Sequence, residues 1–189
     1  MAAIGVFGGM VSAHAADLQA AKQKAGACAA CHGANGVSQK EGTPSLAGQP
    51  DQYIQWQLVY FRSGARKSDI MEPIAADLSD ADVRNLGAYF ASLAPAPAAE
   101  AADGDAALSE RGAEIAAGSN CANCHRDDFS GQQAMARLAG QREEYLLKAL
   151  QDFKSGMRRG GGVAAMASAV YPLSQEDLRA LAHYLANYR

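Results

Sequence analysis

Two five-residue stretches hold the reactive side chains of this chain. CAACH occupies residues 28–32 and CANCH residues 121–125. All four cysteines, Cys28, Cys31, Cys121 and Cys124, fall within them. Two thiols three residues apart, followed at once by an imidazole, form the attachment pattern for c-type haem. The thiols reach the two vinyl groups of one haem and form thioethers. His32 or His125, next in sequence, is then held beneath the iron as one axial ligand. Similar residues serve other chemistries. Cysteine pairs in exported proteins usually form disulfides. A redox dithiol of this spacing expects a βαβ setting. A structural zinc needs four ligands, and one such motif offers three. One zinc shared by both cysteine pairs would leave the histidines unexplained.

The motifs sit at the same place in a repeat, and this favours haem over the other chemistries. CAACH matches CANCH at an offset of 93 residues, LAGQPDQY (46–53) matches LAGQREEY (138–145) at 92, and FRSGAR (61–66) matches FKSGMR (153–158) at 92. MEPIAADLSDADVRNLGAYF, from 71, matches MASAVYPLSQEDLRALAHYL, from 166, at 95. A unit of about eighty residues has been duplicated. So small a unit buries little surface by itself, and a covalent haem gives it a large apolar body to fold around.

The repeat also nominates second axial ligands. Methionine and histidine are the usual choices. His14 lies in the leader, and His183 has Ala88 as its counterpart, which assigns it to packing or the surface. Met135 and Met157 align with Thr43 and Ala65. Met71 and Met166 align with each other and follow their histidines by 39 and 41 residues. Each would lie on the chain returning over the far face of the haem. A lone methionine usually fills a core; the matched pair points to ligation. Iron filled on both faces moves electrons and has no position for a substrate. The free N–H of each proximal ring needs a carbonyl acceptor, and Pro44 is the candidate in the first copy, with Ala136 in the second. Tyr53, Trp56 and Tyr145 are equally good as haem contacts and as core residues.

The elements that must position these groups read as helices. Val83, Leu86, Phe90 and Leu93 recur at helical spacing, as do Leu178, Leu181 and Leu185. Ser79 and Ser174 precede these runs as N-caps. Shorter helices lead into each CxxCH, glycines close the middle helices, and no run alternates like a strand. The expected fold class is all-α. The domain boundaries are a signal peptide at 1–15, a first domain at 16–95, a linker at 96–107 and a second domain at 108–189. The uncharged start, with its short apolar run and AHA at 13–15, has the form of an export signal. The linker is rich in Ala and Pro and acidic. The first domain carries seven basic and eight acidic side chains and the second ten and nine. Neither has the dense basic face that nucleic-acid binding requires.

Two units of CxxCH, LAGQ, Tyr, F-[KR]-S-G-x-R, Met and LS-x-x-D together resemble the diheme cytochrome c4 family over nearly the whole mature chain. The resemblance implies two tandem class I cytochrome c domains, each wrapped around a covalently bound haem c and related by a pseudo-twofold axis. Two haem c groups are the implied cofactors. It implies a periplasmic electron carrier, soluble or loosely membrane-associated. The expected partners are redox proteins: a terminal oxidase, a cytochrome bc-type complex or a dehydrogenase. A fixed subunit of a dehydrogenase complex is the alternative, and a haem enzyme a weaker one. The copies diverge after the histidine, where GANG in the first faces RDDF in the second. The charged residues are expected to form a solvated loop.

Overall fold

The computed structural model describes residues 15–97 and 105–189. Residues 1–14 of the expected export signal and 98–104 of the expected linker lie outside the described residues. Among the described residues ten helices follow one another in two sets of five. The first set is α1 (Leu18–Ala25), α2 (Ala29–His32), α3 (Asp51–Arg62), α4 (Met71–Ala76) and α5 (Asp80–Ser92). The second is α6 (Ala106–Gly118), α7 (Ala122–His125), α8 (Glu143–Lys154), α9 (Val163–Val170) and α10 (Gln175–Asn187). No strand occurs among the described residues; Gln132 and Met135 form an isolated bridge. The all-α expectation is met.

Each set is built the same way. An aspartate opens the first helix: Asp17 accepts from the Gln19 and Ala20 amides, and Asp105 from that of Leu108. Four amides at any helix start lack intrahelical partners, and these carboxylates supply some of them. The last helices begin with reciprocal capping boxes, Ser79 with Asp82 and Ser174 with Asp177. The last helix packs against the first and middle ones, α5 on α1 and α3, α10 on α6 and α8. Ile54, Leu86 and Phe90 are buried in the first half, and Leu146, Leu178, Leu181 and Leu185 in the second. Burial of each such side chain contributes about 2 kcal/mol. The short helices α2 and α7 hang from this frame and carry the CxxCH motifs.

An ion pair ties α6 to α10: Arg111 reaches Asp177 at 2.7 Å. The Arg111 hydrogen bond, then those from Ser174, hold the Asp177 carboxyl at about 2. Its folded value lies below the unfolded one, so its stabilisation is present above the ordinary carboxylate range and lost as pH falls through 2.

The copies part company after the histidine. Gly33 has φ 83°, and a Cβ there would lie 2.0 Å from the Val37 carbonyl oxygen. Arg126 takes the matching place with φ 66° and ψ 163°, a region almost confined to glycine. Three residues on, the Gly36 carbonyl accepts from Leu46 and Ala47, as that of Phe129 does from Leu138 and Ala139. Phe129 therefore keeps a glycine's left-handed backbone, φ 51°. It is compensated by burial, meeting Tyr188 and Tyr184 edge-on at 4.8 and 6.0 Å between centroids. Arg126, Asp127 and Asp128 face solvent as expected. The loop is nonetheless anchored, because Tyr188 donates to the Asp127 carbonyl.

Two predictions follow from this frame. Arg126→Gly relieves the backbone strain and stabilises the second half by about 1 kcal/mol, read from denaturant unfolding. Asp177→Asn costs about 1 kcal/mol at neutral pH, the full shift being discounted for solvent screening. That difference shrinks below about pH 4 and vanishes near pH 2.

Candidate haem sites and the interface between them

The two histidines are held identically. His32 Nδ1 lies 2.8 Å from the Pro44 carbonyl oxygen, and His125 Nδ1 2.7 Å from that of Ala136. A carbonyl can only accept, so each ring carries its proton on Nδ1 and keeps the Nε2 lone pair for another partner. Burial outweighs this hydrogen bond and lowers both rings below their usual value. They are therefore neutral, as ligands must be. The carbonyl serves with or without proline's rigidity.

Each cysteine pair stands at the start of and within the short helix that carries the histidine. A single helical turn puts i and i+3 on one side. Cys28 and Cys121 pack against the two cores. Burial pushes both thiols up, and the paired cysteine adds to it. Cys124 is exposed, and Cys31 has the Lys40 ammonium 3.8 Å away. No disulfide joins them, and no cluster of three or more His, Cys, Asp or Glu side chains suited to a metal ion occurs among the described residues.

In the second half Cys121, Cys124, His125 and Met166 all line one cavity of about 480 Å³. That is the volume of a cofactor pocket. Its walls are apolar, with Leu146, Leu150, Val170 and Leu181 among them. Two other methionines bear on the choice of ligand. Met157 is 68% exposed and lies in a different cleft, beside Gly64 and Lys67. Met135 also lines the cavity, next in sequence to Ala136, whose carbonyl holds His125. Met166 approaches from α9, which packs on α8. In the first half Met71 opens α4 and is partly buried. Its amide donates to Ser68 Oγ, and α4 packs on α3.

Sequence reasoning missed two arginines. Arg158 lines the cavity and is only 8% exposed, and Arg66 is partly buried. Among the described residues neither makes an ion pair. Buried charge without a counter-ion is costly, so this constellation fits a ligand that brings its own anions, as a haem does with its two propionates. Tyr53 and Tyr145 share the place. Arg66 donates to Tyr145 at 3.2 Å and Arg158 to Tyr53 at 3.1 Å. Burial alone would raise the Tyr145 hydroxyl, but the two guanidiniums outweigh it and draw it down. Of the two readings open for Trp56, the structure favours the cavity contact: 47% exposed, it stacks on Tyr60 while edging the cavity. His183 pairs with Glu143. The signal for the arginines was present, since both stand last in the repeated F-[KR]-S-G-x-R.

These bonds cross between the halves, and they do so in reciprocal pairs. Arg66 and Arg158 occupy equivalent positions, as do Tyr53 and Tyr145. Gln49 and Gln141, the last residues of the two LAGQ motifs, behave likewise. Gln49 exchanges two hydrogen bonds with the Arg137 backbone, at 2.9 and 3.0 Å. Gln141 exchanges two with that of Ser45, at 2.8 and 2.9 Å. Equivalent residues meeting each other's partners is the contact pattern of a twofold relation. The glycine run of the second half also closes on the first: a Cβ on Gly161 would lie 2.2 Å from the Tyr60 hydroxyl.

Two helical units, each presenting tethering thiols and a fixed neutral imidazole, define a c-type cytochrome with two haems. The Cytochrome c family model matches residues 18–94 and 109–189. The chain is 36% identical to cytochrome c4 of Pseudomonas aeruginosa over 182 residues, which covers 92% of this chain and 90% of that one. It is 33% identical to the thiosulfate dehydrogenase electron acceptor of Thiomonas intermedia, over 97% of this chain and 88% of that one. It superposes on the crystal structure of reduced recombinant cytochrome c4 from Pseudomonas stutzeri with a TM-score of 0.83 at 30% identity. That match covers 93% of this chain and 100% of the other. The chain belongs to the diheme cytochrome c4-type family, with two tandem cytochrome c domains, two covalently bound haem c groups and an electron-transfer function.

Arg158→Met removes the buried positive charge that lines the second-half cavity. Loss of that charge favours the oxidised state, so the midpoint potential of the second haem falls, as a redox titration would register.

Proposed function

We propose that this chain is a periplasmic carrier that takes single electrons from one redox protein and passes them to another. Its proposed domains span 16–95 and 108–189. Cys28 and Cys31 tether the first haem, and His32 and Met71 bind its iron. Cys121 and Cys124 tether the second, with His125 and Met166 as ligands. The observation that carries this reading is the convergence of Cys121, Cys124, His125 and Met166 on one apolar cavity, with the histidine's other nitrogen already engaged.

The haem iron supplies the one-electron chemistry. The chain's own residues do the rest. The carbonyls of Pro44 and Ala136 hold the imidazole planes and favour electron donation from the ring. The leucine walls keep the second-half cavity apolar. Arg66 and Arg158, supported by Tyr145 and Tyr53, would pair with the haem carboxylates at the interface. With a His and a Met assigned to each iron, no position would be left for a substrate. This supports a carrier and not an enzyme.

The donors and acceptors that suit this role are a dehydrogenase on one side and a terminal oxidase or cytochrome bc-type complex on the other. The likeness to a thiosulfate dehydrogenase electron acceptor favours, as a second reading, service to one sulfur-compound dehydrogenase. No helix among the described residues is long and apolar enough to cross a membrane. Loose attachment to a membrane surface is compatible with the same role.

Oxidised protein should show the weak red absorption band of methionine bound to ferric haem, with intensity for two haems. Met71→Ala and Met166→Ala should each remove about half of it. A native spectrum without the band would refute the ligand assignment.

A further inference from the structure

Each axial histidine is bonded to a peptide group whose other end is gripped by the opposite domain. The peptide joining Pro44 to Ser45 accepts from His32 through its carbonyl, at 2.8 Å, and its N–H donates to Gln141 Oε1 at 2.8 Å. The peptide joining Ala136 to Arg137 accepts from His125 at 2.7 Å and donates to Gln49 Oε1 at 3.0 Å. The glutamine amides close the clamp by donating to the carbonyls of Ser45 and Arg137. Gln141 Oε1 also accepts from the Arg142 amide at 3.0 Å. Gln49 and Gln141 are 4% and 5% exposed, so water does not compete.

We propose that Gln49 and Gln141 are cross-domain positioning residues, each setting the reduction potential of the haem in the other domain through one peptide group and the proximal histidine. The physics is bond polarisation. An acceptor on a peptide N–H makes the carbonyl of that peptide a better acceptor, and hydrogen bonds in such a chain strengthen one another by about 10–30%. A stronger acceptor on Nδ1–H makes the imidazole a more electron-donating ligand, which stabilises ferric iron and lowers the potential. The glutamine thus acts on an iron it does not touch. Any loosening of the interface reaches both haems at once through the two clamps.

The inference rests on His32 and His125 as axial ligands. Its test is a redox titration of the haem-loaded protein followed by NMR, in which hyperfine-shifted haem methyl signals report each haem separately. Gln49→Met keeps the side-chain volume and removes the acceptor. It should raise the potential of the second haem and leave that of the first nearly unchanged. Gln141→Met should do the reverse. If Gln49→Met fails to accumulate, Gln49→Glu keeps an acceptor oxygen and should lower the same potential. A shift confined to the glutamine's own domain, an equal shift in both haems, or none overturns the relay while leaving the ligands intact. Absence of hyperfine-shifted ring signals from His32 and His125 in the unmutated protein overturns the ligand assignment, and the relay with it.

Discussion

The structure turns on the bond from each histidine Nδ1 to a backbone carbonyl. It fixes the ring's tautomer, leaves Nε2 as the only basic nitrogen and sets the orientation of the imidazole. Everything near it can be understood as holding the two ends of that bond. The short helices α2 and α7 deliver the ring. The left-handed turn at Gly36 or Phe129 brings LAGQ back beneath it. The glutamine ending each LAGQ then reaches across to the peptide on which the other histidine depends. The reactive motif of each domain and the contact between domains thus meet at one peptide group. This explains how a unit of about eighty residues can be duplicated without either copy becoming an independent bead.

Charge is arranged on the same plan. Small domains rarely bury arginine without a partner, yet Arg158 and Arg66 sit among tyrosines at the interface with no carboxylate of the described chain beside them. Each guanidinium lies over an aromatic ring of its own domain, Phe153 at 4.5 Å and Phe61 at 4.6 Å. The chain therefore holds two preoriented positive charges where the carboxylates of two haems would converge. That costs stability in the bare polypeptide, and anions arriving there would offset part of the cost.

Most of the chemistry was legible in the sequence because it is local or repeated. CxxCH places thiols and imidazole within one helical turn. The two Ser-x-x-Asp boxes lie within four residues, and the pairing of Met71 with Met166 needs only the alignment of one copy on the other. The interface was not legible. Gln49 and Gln141 look like ordinary loop residues, and their importance appears only when a partner 88 or 96 residues away is beside them. The arginines had a repeated motif to announce them, but a repeated basic residue near a glycine reads as solvated until its burial is known. Phe129 was read as part of a charged loop. Its role as a plug against Tyr184 and Tyr188 depends on the last helix, over fifty residues on. For Trp56 the sequence left haem contact and core equally open, and it lies at a rim because the face it occupies borders a cavity.

The most direct measurement is exposure of the fully reduced, haem-loaded protein to carbon monoxide, which binds ferrous haem where an axial position is open. If His32 and Met71 bind one iron and His125 and Met166 the other, as proposed, the spectrum at neutral pH should stay that of the reduced protein. Rapid formation of a carbon monoxide adduct at either haem would contradict the closed sites on which the carrier function rests.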